Sequence, residues 1–155
     1  MTMRRMTPFL WFEGRVGEAM ALYTSVFPES KVVSTMPGPE GSVMSATFEL
    51  DGQQFIAYGG GTHLKLTPAA SIMVVCETQE EIDRIWNGLT KDGTESECGW
   101  LIDPFGLSWQ VIPSLLPKLT GDPDREKAGR AIQAMFKMKK IDIATLERAF
   151  AGRGP

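Results

Sequence analysis

The sequence contains few cysteines. There are two among its 155 residues, Cys76 and Cys98, and they are not arranged as C-x-x-C. A chain of this length can bury roughly 70% of the surface that its unfolded form exposes, so it needs no disulfide staples to hold a core. We therefore expect both cysteines to be free thiols.

Long apolar runs and an excess of basic charge are also absent. The longest uncharged apolar stretch, from Leu66 to Cys76, falls short of the ~20 residues that cross a bilayer. The apolar stretch at residues 6–12 is too short for the core of a signal peptide. Sixteen basic residues against nineteen acidic residues leave a net charge of −3, and phosphate backbones attract basic proteins. We expect a cytoplasmic protein that binds neither membranes nor nucleic acid.

Composition indicates one ordinary folded domain. The chain is 43% hydrophobic and 23% charged, which excludes disorder as its main state. We expect residues 1–155 to form a single α+β domain.

Apolar periodicity in the first half predicts a β-α-β-β-β unit. Residues 43–50 alternate apolar and polar side chains, as a half-buried strand does. The Asp51-Gly52 dipeptide that follows is typical of a tight hairpin. The predicted elements are strands at residues 7–12, 31–36, 43–50 and 53–58, with a helix at residues 16–27.

The next stretch repeats this order. Thr78 with Glu81 three residues later has the spacing of a helix capping box. Superposing Gly52 on Gly106 places Phe55 on Trp109. The predicted elements are strands at residues 71–76, 94–98, 99–102 and 107–113, with a helix between Thr78 and Lys91. The internal repeat predicts module one at residues 6–60, a linker at 61–69 and module two at 70–113.

Residues 114–151 are predicted to form C-terminal helices. Asp124 and Asp142 precede apolar residues at helical spacing, so each is a candidate N-cap. The resulting amphipathic tail must be covered by the core or by another chain. Its cations at Lys137, Lys139, Lys140 and Arg148 are either an interaction patch or a solvated face, and the second interpretation is favoured.

Several motifs together resemble a known family. They are Pro8-x-Leu10-Trp11-Phe12, Tyr23-x-x-x-Phe27-Pro28, Leu50-Asp51-Gly52-Gln53, Gly59-Gly60, Cys98-Gly99-Trp100-Leu101 and Asp103-Pro104-Phe105-Gly106-x-Ser108-Trp109-Gln110, with a similar tail segment at residues 133–143. The sequence resembles the PhnB-like family, often labelled 3-demethylubiquinone-9 3-methyltransferase. That family lies in the glyoxalase, bleomycin-resistance and extradiol-dioxygenase superfamily, also called vicinal oxygen chelate. The resemblance implies two βαβββ modules forming a cupped mixed sheet, a C-terminal helical tail and a homodimer.

The resemblance also places candidate metal positions. Superfamily enzymes bind a divalent metal through His, Gln or Glu on the first and last strands of each module. Those positions fall near Pro8, at Ala70 or Ser71, at Ile56 and at Gln110. Only Gln110 can coordinate a metal, and a catalytic site needs about three protein ligands. We expect no metal and no other cofactor.

The methyltransferase label predicts a glycine-rich turn that leads from a strand into a helix. Gly59-Gly60-Gly61 follows a predicted strand but leads into residues 62–66, which have no helical pattern. We interpret these glycines as a flexible link between the modules.

His63 is the single histidine and the one side chain whose ordinary pKa lies close to neutral pH. It is a candidate general base. The alternative is a loop or structural histidine, which is the favoured interpretation.

Aromatic residues recur on the predicted strands of both modules. Small-molecule pockets use aromatic walls with a few polar groups. The candidate ligand-binding residues are Trp11, Tyr58, Cys98, Trp100, Trp109 and Gln110.

These observations predict a metal-free protein that binds an apolar or aromatic small molecule in the cup. The alternative is an enzyme of the lyase, isomerase, dioxygenase or methyltransferase type that uses His63 or a metal. A third hypothesis makes the tail a protein-interaction element.

Overall fold

The computed structural model describes residues 4–153. Within them the chain divides into two compact units. Unit 1 contains residues 4–68 together with Phe105–Leu107, and unit 2 contains residues 69–104 and 108–153.

Unit 1 is a four-stranded sheet with one helix. Its elements are β1 (Phe9–Phe12), α1 (Val16–Val26), β2 (Ser30–Pro37), β3 (Val43–Leu50) and β4 (Gln53–Gly59), with a short 3₁₀ turn at Pro39–Gly41. The strand order is β1-β4-β3-β2. The β1–β4 pair is parallel and the other two pairs are antiparallel, so the sheet is mixed.

Unit 2 repeats this arrangement and adds the tail. Its elements are β5 (Ser71–Cys76), α2 (Gln79–Thr90), β6 (Thr94–Glu95), β7 (Trp100–Ile102), β8 (Ser108–Pro113), α3 (Leu115–Thr120), α4 (Arg125–Phe136) and α5 (Ile143–Phe150). The strand order β5-β8-β7-β6 has the same topology as the first sheet. The predicted α+β fold with two βαβββ units and C-terminal helices is confirmed.

Local sequence signals explain where several elements begin and turn. Asp51 and Gly52 both have positive φ, 49° and 80°, and this is the backbone of the two-residue hairpin turn that joins β3 to β4. The Thr78 side chain accepts a hydrogen bond from the backbone N–H of Glu81 at 3.2 Å, which caps α2 as predicted.

Each sheet packs one face against the helix of its own unit. In unit 1, Tyr23 of α1 lies 5.9 Å from Phe48 of β3 between ring centroids, and Phe48 stacks on Phe55 at 5.4 Å. In unit 2, Trp86 of α2 and Trp109 of β8 are both fully buried. Burial of such large apolar side chains supplies most of the stability of small cores.

One strand differs from its sequence-based prediction, and one helix contains a proline. The strand predicted at residues 94–98 ends at Glu95, because Cys98 and Gly99 have φ of 57° and 84° and turn the chain. Helix α3 lies within residues 114–151, which were predicted to form the C-terminal helices. Pro117 is the third residue of α3, and proline is tolerated in the first turn, where the N–H has no partner inside the helix.

The tail is covered by its own unit. Ile112 of β8, Leu116 of α3, Ile141 and Leu146 of α5 form a buried cluster. The backbone N–H groups of Cys98 and Gly99 donate to the carbonyls of residues 138 and 139 at 2.9 and 2.8 Å. The apolar stripe of the tail therefore packs on the end of the unit 2 sheet.

Gln79 clamps the chain between α4 and α5. Its amide donates to the Ile141 carbonyl at 3.0 Å and accepts from the Ile143 N–H at 2.8 Å. Asp83 accepts from Gln79 at 3.0 Å and pairs with Lys140 at 2.9 Å. The Gln79 hydrogen bond, followed by that of Lys140, lowers the pKa of the Asp83 carboxyl.

No helix within residues 4–153 has both the length and the apolar character needed to span a membrane. Cys76 and Cys98 are free thiols.

Candidate functional site

The face of the unit 1 sheet that lies opposite α1 carries the candidate site. Side chains alternate between the faces of a strand. Phe12 and Ala57 are buried toward α1, so Trp11 and Tyr58 lie on the other face. We call this surface the open face of unit 1; it comprises Phe9, Trp11, Ser45, Thr47, Glu49, Gln54, Ile56 and Tyr58.

Three aromatic side chains meet on the open face. Trp11 lies directly opposite Tyr58 in the β1–β4 register. Their ring centroids are 5.1 Å apart at an interplanar angle of 74°, and Phe9 lies 5.7 Å from Tyr58. The Trp11–Tyr58 contact is edge-to-face and the Phe9–Tyr58 contact is tilted at 45°; aromatic pairs at such distances stabilise a cluster beyond the area that they bury. Phe9 is 59% exposed, so the cluster presents apolar surface.

The glycines that follow β4 hold the Trp11 indole in place. A Cβ atom on Gly60 would lie 2.2–2.5 Å from three indole carbons of Trp11, so the ring packs directly on the Gly60 backbone. The indole N–H donates to the Gly61 carbonyl at 3.0 Å. Because its single donor is satisfied, Trp11 can offer a ligand only its aromatic surface.

His63 lies beside the same indole. Its ring centroid is 5.1 Å from that of Trp11 at an interplanar angle of 82°, and the residue is exposed on the loop after Gly61. Among residues 4–153 no carboxylate hydrogen-bonds its imidazole, so the orienting group of a catalytic His–Asp pair is missing from the described part of the chain.

The other end of the open face is polar. Gln54 accepts a hydrogen bond from the Thr7 hydroxyl at 3.3 Å. Glu49, opposite Gln54 in the β3–β4 register, pairs with Arg4 at 3.7 Å and with Lys31 at 3.5 Å. This end carries mutually satisfied charges, and the apolar surface is concentrated around Trp11.

In unit 2 the structure separates two residues that were predicted to share a face. Trp109 was expected to face the cup, but it is fully buried and its indole N–H donates to Asp103 at 2.9 Å. Gln110, the next residue, lies on the opposite face and is paired with Trp100 of β7. Trp109 is therefore a core residue, because a one-residue step along a strand reverses the direction of the side chain.

Cys98 also differs from its predicted position. It was expected on a strand, but it lies in the turn between β6 and β7 with φ 57°. Burial, followed by the nearby Glu97 carboxylate, raises the pKa of the Cys98 thiol. A raised pKa leaves less of the reactive thiolate at neutral pH, so the turn does not activate this cysteine.

The residues at the candidate metal positions do not fit a catalytic metal. In unit 1, Ile56 of β4 lies opposite Phe9 of β1. In unit 2, Gln110 lies opposite Met73, and its amide nitrogen donates to the Ser71 hydroxyl at 2.9 Å. No group of three His, Cys, Asp or Glu side chains within residues 4–153 is placed to hold a metal ion.

Sequence reasoning identified Trp11, Tyr58 and His63, which the fold brings together, but it missed Phe9. The signal was available, because Phe9 precedes Trp11 by two residues and a strand places such residues on the same face.

Residues 4–112 match the family described as 3-demethylubiquinone-9 3-methyltransferase. The chain belongs to this family.

A solved structure described as a PhnB protein from Bacillus cereus is 38% identical, with a TM-score of 0.66, and the match covers 72% of this chain and all of that one. A protein from Pseudomonas aeruginosa is 20% identical over 72% of this chain and 98% of its own, with a TM-score of 0.60.

Another similar structure shows the wider fold of this PhnB-like family member. A mutant of the fosfomycin resistance protein FosX from Listeria monocytogenes, complexed with Mn(II) and a dihydroxypropylphosphonic acid, is 14% identical with a TM-score of 0.56. That match covers 77% of this chain and 99% of the FosX chain. The fold is that of the glyoxalase/bleomycin resistance superfamily. No curated protein matches the sequence.

The glycine-rich segment of this family member does not fit the methyl-donor site of a class I methyltransferase. In such sites the glycines let a cofactor approach the backbone at the start of a helix. Here the indole of Trp11 occupies the space beside Gly60, and no helix lies between β4 and β5. The family name therefore does not by itself assign methyl transfer to these residues.

Proposed function

We propose that this PhnB-like protein binds an apolar or aromatic small molecule on the open face of unit 1, without a catalytic metal. The observation that carries the proposal is the aromatic cluster of Phe9, Trp11 and Tyr58, with the Trp11 indole held by Gly60 and Gly61.

The chemistry of the face supports an uncharged, largely apolar ligand. Binding sites for small molecules combine apolar and aromatic walls with a small number of polar groups. Trp11 and Phe9 supply the apolar wall. Within residues 4–153 the Tyr58 hydroxyl has no hydrogen-bond partner, so it can orient a ligand that carries a donor or an acceptor.

In unit 2, Trp100 and Gln110 lie opposite each other in the β7–β8 register, and we propose them as a ligand-binding surface of that unit by itself. Trp109 and Cys98 are not part of this proposal, because the first is a core residue and the second lies in a turn.

Binding can be tested with 2-naphthol, a neutral aromatic probe, whose affinity is measured by calorimetric titration. Removing one stacking ring costs about 1–2 kcal/mol, so Trp11→Ala should weaken binding by roughly 5- to 30-fold. The matched control is Phe136→Ala, which removes a ring that is 58% exposed on α4. Equal affinities of wild type and Trp11→Ala, with the control also unchanged, would exclude the open face as the site.

The competing function is an enzyme that uses His63, which lies beside the Trp11 indole. A binding protein should keep its affinity for the probe in His63→Ala. A His63-dependent enzyme should instead lose about 10²- to 10⁴-fold of its turnover, the usual contribution of a general base.

Metal dependence can be measured directly by elemental analysis after loading with zinc, nickel, manganese or iron and desalting. Because the candidate positions offer one amide and no imidazole or carboxylate, we expect less than about a tenth of a metal ion per chain. Near-stoichiometric metal would show that other residues form a site and would make a metalloenzyme the leading function.

We also propose a homodimer. Strand β5 lies at the edge of its sheet, and its Met73 and Val75 are 55% and 48% exposed; such an edge favours association with a second surface. Light scattering should report twice the chain mass of 17.1 kDa, whereas a monomer over the micromolar range would contradict the proposal.

A further inference from the structure

A groove of about 830 Å³ lies between α4 and α5, in the part of the chain that follows the family match. Residues of the two helices and of the segment after α5 form its walls. Its half-buried floor includes Gly129, Ala134, Met138 and Ala149. The volume lies within the range of about 300–1,000 Å³ that is common for small-molecule sites.

The rim of this groove is strongly basic. Five cations line it, and the carboxylate among the lining residues is Glu126. The whole chain has a net charge of −3, so positive charge is concentrated here. The lining cations are Arg125, Arg130, Lys137, Arg148 and Arg153.

Arg130 stabilises the walls of the groove, whereas Lys137 and Arg148 remain available to a ligand. The Arg130 guanidinium donates to the Ala149 and Phe150 carbonyls at 3.0 and 2.9 Å, which ties α4 to the end of α5. Lys137 and Arg148 are exposed, and within residues 4–153 neither forms an ion pair with a carboxylate.

The helices that form the groove are anchored rather than loosely attached. The Asp124 side chain caps α4 by accepting from two backbone N–H groups at 3.2 Å, and Asp142 caps α5 at 2.8 Å. The Gln79 clamp fixes the chain between them. A fixed groove binds with a smaller loss of conformational entropy than a mobile one.

We propose that this groove binds an amphiphilic organic anion, with an apolar body on the floor and a carboxylate, sulfonate or phosphate group at the Lys137 and Arg148 rim. The apolar floor selects against small inorganic anions, and the cationic rim selects against neutral molecules. This site is separate from the open face of unit 1 and does not depend on the function proposed for that face.

The test uses 8-anilinonaphthalene-1-sulfonate as the probe and the full chain as the protein. Two exposed charge contacts together correspond to about a tenfold change in affinity, so the double variant Lys137→Ala/Arg148→Ala should bind roughly tenfold more weakly. The matched control Lys118→Ala/Lys139→Ala removes two positive charges from exposed tail positions that do not line the groove, and it should bind like wild type.

A steric variant keeps the test independent of charge. A Cβ atom on Gly129 would meet nothing within 4 Å, so Gly129→Leu should fold and fill the groove while every cation is retained. It should also weaken probe binding, by at least about tenfold if the apolar body occupies the floor.

Three results would overturn the proposal. In the first, both groove variants bind the probe as tightly as wild type. In the second, the two double variants lose affinity equally, as expected for a diffuse charge effect. In the third, Trp11→Ala abolishes the signal, which would place the probe on the open face of unit 1.

Discussion

Replacing Gly60 with alanine tests whether the Trp11 indole depends on close approach to the backbone. The new Cβ atom would lie 2.2 Å from the nearest indole carbon. Carbon atoms in favourable contact are about 3.5–4.0 Å apart, so the ring must retreat by at least roughly 1.3 Å. Such a movement would break the 3.0 Å hydrogen bond from the indole N–H to the Gly61 carbonyl.

The cost follows from overpacking, which typically destabilises a protein by about 1–3 kcal/mol. For a chain of this size that corresponds to a melting temperature lower by about 2–12 °C. Because Trp11 also forms the apolar wall of the proposed site, Gly60→Ala should weaken 2-naphthol binding about as much as Trp11→Ala does. Scanning calorimetry measures the melting temperature, and titration calorimetry measures the affinity for 2-naphthol on the same protein preparation.

Gly17→Ala is the matched control in the same unit. Gly17 is the second residue of α1, and its added Cβ would be 3.6 Å from Val43, an ordinary contact. Alanine is favoured over glycine in a helix by about 0.5–1 kcal/mol, so this variant should be as stable as wild type or more stable. If Gly60→Ala had the same melting temperature and the same affinity for 2-naphthol as Gly17→Ala, the inferred packing of the Trp11 indole on the Gly60 backbone would be refuted.

Three further predictions concern unit 2. Thr78→Ala should lower the free energy of unfolding by about 1 kcal/mol through loss of the α2 cap, and Thr78→Ser should restore it in chemical denaturation. The lowered pKa of Asp83 adds stability that is present above the ordinary pKa of 3.8 and is lost as the pH falls through the folded-state value. Hydrogen-exchange protection factors in α5, corrected for the intrinsic exchange rate at each pH, should therefore decrease below about pH 4 in wild type. Asp83→Asn should reduce this pH dependence. Burial raises the pKa of Cys76 to about 12, so a thiol reagent should label Cys98 first and Cys76 only on unfolding, and equal native rates would contradict the described burial.

The repeated βαβββ order could be predicted because its signals are local. Alternation along β3, the Asp51-Gly52 turn and the Thr78 cap each depend on neighbouring residues, and each occurs in the structure as predicted. Recurrence of one pattern along the chain then predicts two similar sheets, since each copy must cover the same apolar face with its own helix.

The sequence could not predict which side chains of strand β8 point toward the helix of unit 2. Trp109, Val111 and Ile112 are all buried, and Gln110 is partly buried, so apolar residues occupy both faces and the strand lacks the alternation that marks the side toward a helix. The turn at Cys98 was missed for a related reason, because a positive φ at a cysteine has no signature in composition or periodicity.

The sequence by itself determined the order of the elements, the hairpin and cap positions, and the family to which the chain belongs, because these follow from short-range patterns and motifs. Only the tertiary structure decided that Trp11, Tyr58 and Gly60 meet on one face and that α4 and α5 enclose a basic groove. Such sites join residues that are distant along the chain, and their contacts depend on strand register and helix packing rather than on the residue types alone.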